Sequence, residues 1–80
     1  MKREEVSRLF PERIRKILQQ ADWNPQGLQE IRLRAGKPLI LWQDGQEYFV
    51  AEQGFLTRHR EQAYIVSQEE IRRTMETVGT

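Results

Sequence analysis

Eighty residues make at most one domain, and a chain of this size buries only about 60% of the surface it exposes when unfolded, so its margin of stability is thin. With 31% charged and 38% hydrophobic residues, the composition is that of a folded globular chain rather than a disordered one. Thirteen basic and 12 acidic side chains leave a formal charge of +1, which gives no general attraction to phosphate backbones or anionic membranes; zero cysteines and a single histidine exclude a disulfide framework, thiolate metal sites and a zinc cluster.

In chain order, Val6, Leu9, Phe10, Ile14, Ile17, Leu18 and Ala21 recur at spacings of three and four, the helical period. Pro11 interrupts the pattern but suits the first turn of a helix, so the spacing predicts a short helical lead and a main helix over residues 11–21. Asp22-Trp23-Asn24-Pro25-Gln26-Gly27 closes it with loop residues. In Glu30-Ile31-Arg32-Leu33-Arg34 charged and aliphatic residues alternate, which predicts a strand with Ile31 and Leu33 on one face and Glu30, Arg32 and Arg34 on the other. Gly36-Lys37-Pro38 reads as a turn and Leu39-Ile40-Leu41-Trp42 as a second strand.

Asp44-Gly45 predicts a type I′ hairpin turn, because both residues tolerate the positive φ it needs, and Tyr48-Phe49-Val50 is the returning strand. Residues 51–62 turn polar and read as a loop. Ala63-Tyr64-Ile65-Val66 is expected to be a short fourth strand. Ser67-Gln68-Glu69-Glu70 is a capping box that opens a helix with Ile71, Met75 and Val78 on one stripe and Gly79 as its stop. The order predicts an α+β fold: a small, mainly antiparallel sheet of three or four strands with N-terminal and C-terminal helices packed on one face. The whole of 1–80 is one domain, and its ending directly after a helix leads us to expect that the natural protein continues.

The longest apolar run, residues 38–42, is far short of the roughly 20 residues that cross a bilayer, and Met1-Lys2-Arg3-Glu4-Glu5 does not lead into the apolar stretch of a signal peptide. A cytoplasmic address is the expectation.

Reactive groups are few. No G-x-x-x-x-G-K-[ST] phosphate loop occurs, so this chain is not expected to be an enzyme by itself or to hold a cofactor. His59, between Arg58 and Arg60, reads as exposed and inert; the serines and threonines lack a convincing His partner; Glu4-Glu5 lies in a frayed chain start, and Glu69-Glu70 in a first helical turn, where the helix dipole favours acids. Arg32 and Arg34 form the most informative pair, because alternation points both guanidinium groups off one face, with Lys37 nearby. They either grip a phosphate or carboxylate or form a solvated strand face. Trp42, Tyr48, Phe49 and Tyr64 lie on expected strands, where core packing accounts for most of them. Nucleic-acid binding, which calls for exposed aromatic rings, is therefore disfavoured.

Leu9-Phe10-Pro11-Glu12-Arg13-Ile14-Arg15, Glu30-Ile31-Arg32-Leu33-Arg34-Ala35-Gly36-Lys37-Pro38-Leu39, Tyr64-Ile65-Val66-Ser67 and Ile71-Arg72-Arg73-Thr74 together resemble the start of the stage III sporulation protein AA family. The E-I-R-L-R-x-G-[KR]-P-L string, followed by the D-G turn, is the most specific part. The arrangement is more distantly similar to the N-terminal domain of type II and type IV secretion ATPases and pilus retraction motors. There a strand, a G-x-P turn, a second strand and a D-G or N-G hairpin form a PAS-like sheet.

The resemblance implies a non-catalytic N-terminal regulatory and assembly domain, followed in the whole protein by an ATPase domain that binds ATP and Mg. It also implies a hexamer, in the mother cell of a spore-forming bacterium, peripheral to the membrane through channel proteins that lead to the forespore. The partners would be the chain's own C-terminal ATPase domain, neighbouring subunits and those channel proteins. By position, Arg32, Arg34 and Lys37 are the candidates for inter-domain or nucleotide-proximal contacts. A domain of this kind is expected to expose a partly apolar patch. The competing readings are a stand-alone PAS-like ligand sensor and a small nucleic-acid-binding module.

Overall fold

In the computed structural model, which describes residues 2–79, the helical lead and the main helix are separate elements: α1 (Arg3–Ser7) and α2 (Glu12–Gln20). Pro11 divides them. It stands extended just before α2 and its carbonyl accepts from Arg15 N at 2.8 Å, so the missing proline N–H costs nothing there. Val6 from α1 and Ile14, Ile17 and Leu18 from α2 are buried, as their helical spacing requires. The C-terminal end of α2 is closed by two side chains: Arg3 Nη1 donates to Ala21 O and Trp23 Nε1 to Leu18 O, both at 2.8 Å. These satisfy carbonyls that the helix cannot reach itself. Trp23 is 2% exposed, so its indole serves core and cap together.

A short 3₁₀ turn, Pro25–Gly27, leads into the sheet: β1 (Leu28–Arg32), β2 (Ile40–Gln43), β3 (Gln46–Val50) and β4 (Leu56–Thr57), antiparallel throughout and in that spatial order. The expected α+β architecture is the one observed. Asp44 and Gly45 adopt φ of 50° and 76°, the two positive values of a type I′ turn.

Three expectations need correction. The first strand begins two residues earlier and ends at Arg32, with a bulge at Gln29. Residues 51–62 are not a featureless loop; they contain β4 and a 3₁₀ turn, Arg60–Gln62. Residues 63–66 do not add a fourth strand beside the others but form only single bridges, Ala63 to Ala51 and Ile65 to Pro38. They run past the ends of β2 and β3: Tyr64 O accepts from Leu39 N at 2.8 Å and Tyr64 N donates to Val50 O at 2.9 Å. The segment thus ties both strands.

The last helix, α3 (Gln68–Gly79), opens with the expected capping box: Glu70 N donates to Ser67 Oγ at 3.1 Å and Ser67 N to Glu70 Oε1 at 2.9 Å. Gly79 is the last helical residue among those described. The core lies on one face of the sheet, where Leu39, Leu41, Val50 and Val66 meet the apolar sides of α1 and α2, with Ile71 of α3 packed at its margin.

Candidate functional site

Cross-strand partners in an antiparallel sheet share a face, so the register defines the face turned away from the core. One row runs Arg32, Ile40, Phe49, Thr57 and the next Glu30, Trp42, Glu47. Ile40 is buried although it stands outside the main core, and Trp42 and Phe49 are half-buried. Of the four strand aromatics, Tyr64 alone packs against the main core, which corrects the expectation that most would. Trp42 Nε1 is the one buried side-chain polar atom among the described residues that lacks a hydrogen-bond partner.

The three candidate cations sit where this face meets the turn after β1, and they divide into two kinds. Arg32 Nε donates to Glu30 Oε2 at 2.6 Å, and both side chains are about two-fifths exposed, so the pair neutralises Arg32 while adding at most about 1 kcal/mol. Arg34 lies beyond the end of β1, so the ladder does not hold it on the face of Arg32 as the alternation predicted. It belongs to the turn, where Lys37 N donates to Arg34 O at 3.0 Å and Gly36 takes φ of 74°, a value that favours glycine. Gly36 N donates to Val66 O at 2.8 Å and Val66 N to Lys37 O at 2.9 Å, which pins the turn to the segment before α3. The side chains of Arg34 and Lys37 are exposed and, among the described residues, take no hydrogen bond or ion pair. A backbone anchored on both sides therefore presents two uncommitted cations, a combination suited to an anionic group.

The string that spans this site, Glu30 to Leu39, is also the most specific stretch of the sequence. The sequence model of the family described as "Sporulation stage III, protein AA" matches residues 1–80. The chain belongs to the sporulation stage III protein AA family. No curated protein and no solved structure matches it significantly.

Elsewhere in this family member, the sequence reading missed a polar cluster around Tyr64. Its hydroxyl donates to Glu70 Oε2 at 2.6 Å, Arg13 lies 5.9 Å over its ring, and Arg13 Nη2 donates to Glu52 Oε1 at 2.8 Å. Burial first, and then the hydrogen bond to the Glu70 carboxylate and its charge, push the Tyr64 phenol up to about 12, while Arg13 pulls the other way. Only the Ser67–Glu70 part could be seen in the sequence, because no local period links Tyr64, Arg13 and Glu52. Glu69 is held below the usual carboxylate range by its hydrogen bond to Arg72. His59 is exposed as expected, its Nδ1 3.8 Å from Glu61.

A groove of about 490 Å³ lies between the start of α2 and α3, away from Arg32, Arg34 and Lys37; Arg8, Arg15 and Arg73 line it, with Glu12 and Glu76 among them. Among the described residues, no three His, Cys, Asp or Glu converge as metal ligands, and no helix is long and apolar enough to cross a membrane.

Proposed function

We propose that this chain is the non-catalytic N-terminal regulatory and assembly domain of a hexameric secretion-type ATPase, which energises a channel between mother cell and forespore. The observation that carries the reading is the family match across all 80 residues, which ties the chain to sporulation. In this reading the sheet is PAS-like, the phosphate-loop chemistry with ATP and Mg belongs to a C-terminal domain, and the motor sits in the mother cell, held at the membrane by channel proteins. The domain contributes contacts to its own ATPase domain and to neighbouring subunits, with Arg34 and Lys37 meeting an anionic group there, the nucleotide phosphates or a carboxylate. Two free guanidinium and ammonium groups on an anchored turn support that role, since little ordering is left to be done when the anion arrives.

The test is ATP turnover of the full-length protein with Arg34→Ala and Lys37→Ala combined. A loss of about tenfold in kcat/KM, with an unchanged melting temperature, is expected from removing charged contacts made by exposed side chains. Arg32→Ala should do less, because Glu30 already occupies that guanidinium. Wild-type turnover in the double variant would overturn the role of the turn.

A further inference from the structure

β1 has β2 on one side and, among the described residues, no strand on the other. An open edge offers a row of backbone donors and acceptors to any strand that can lie beside it. Here the edge is also apolar on its core side. Two grooves of about 270 and 400 Å³ run along it and meet at Phe10 and Ile31, one continuing to Leu33 and Met75 and the other to Leu9 and Leu28. Leu9 is 43% and Met75 67% exposed, so this flank is unfinished core rather than ordinary surface.

Charges on an edge usually repel an incoming strand, and β1 carries Glu30 and Arg32 on its outer side. Their order decides which strand is accepted. If a second β1 lies antiparallel with Ile31 opposite Ile31, Glu30 of each copy faces Arg32 of the other, and the existing Glu30–Arg32 pairs become a four-charge cluster. On the core side the same arrangement brings the two Ile31 side chains together and the two apolar grooves into contact. The bulge at Gln29 and the turn after Arg34 bound the regular run, so a slide along the strand would lose backbone pairing.

We infer that a second copy of this chain docks on the open edge of β1, forming a two-fold antiparallel β1–β1 contact in which Glu30 and Arg32 pair reciprocally. The contact closes on itself as a dimer, and so differs from the head-to-tail contacts that build a ring. It rests on the edge alone and is independent of the ATPase reading, whose deciding variant, Arg34→Ala combined with Lys37→Ala, leaves Glu30 and Arg32 in place.

Sedimentation equilibrium of the 80-residue chain tests it. The wild type should show a reversible monomer–dimer equilibrium. Arg32→Glu, which sets acid against acid across the axis, should weaken it by at least about tenfold, and the swap Glu30→Arg with Arg32→Glu should restore it. Circular dichroism on each variant separates lost pairing from lost folding. A wild type that stays monomeric to millimolar concentration, or a dimer that Arg32→Glu leaves intact while the fold is retained, would overturn the inference.

Discussion

The phenol of Tyr64 belongs to a segment with little regular structure, yet it holds the start of α3 through Glu70 Oε2 and carries Arg13 of α2 over its ring. Its ionisation is therefore coupled to the fold. The phenol is raised to about 12 in the folded chain against about 10 for a free tyrosine, so the native state favours the protonated form. That contribution is complete below about pH 10 and is lost as pH rises through about 12. Titration of phenolate absorbance in a Tyr48→Phe background should give a midpoint near 12, lowered when Glu70→Gln removes the carboxylate charge; a midpoint near 10 in the folded Tyr48→Phe protein would refute the coupling. The two cationic kinds at the site illustrate the same limit of sequence reasoning. Alternation correctly placed Arg32 beside Glu30, but the end of β1 released Arg34 from the pattern, because the turn at residues 34–37 takes its hydrogen bonds from Val66, thirty residues away in the chain.

Among the elements, α3 is built unevenly. Its first turns are tied by the Ser67–Glu70 box, by Thr74 Oγ1 donating to Glu70 O at 2.7 Å and by Ile71 at the core margin, whereas Met75 and Val78 are 67% and 62% exposed. Local opening should follow that gradient. Amide hydrogen exchange in residues 76–78 is expected to be faster than in residues 71–74, and uniform protection along the helix would contradict it.

The division at Pro11, the type I′ turn and the capping box were all legible, since each rests on backbone chemistry within a few residues. β4 was not. Two residues, Leu56 and Thr57, are too few to show alternation, and they become a strand only because β3 lies beside them. Residues 63–66 carried a strand-like apolar signal, but they span the ends of β2 and β3 instead of extending the sheet.

For the molecule as a whole, one face of the sheet carries the core and the other a smaller apolar cluster. Leu41 and Ile40 are neighbours in β2 with 0% and 6% exposure, pointing to opposite faces. Leu41→Ala should cost about 3 kcal/mol, a large share of a small domain's stability, because the helices above it cannot close the cavity. Ile40→Ala should cost about 1–2 kcal/mol, since its neighbours Trp42 and Phe49 are half-exposed and free to settle. Urea denaturation midpoints of the two variants check this, and equal losses would mean that both faces bear the fold alike.

Residue type and short-range period were enough for the α+β order, the helix starts and the hairpin turn, while the family showed through the resemblance of its E-I-R-L-R-x-G-[KR]-P-L string. Which cations remain free, which face is core and which strand edge stays open were decided only by the tertiary structure. Those properties arise from hydrogen bonds and packing between segments that are distant in the chain, where no periodicity in the sequence records the meeting.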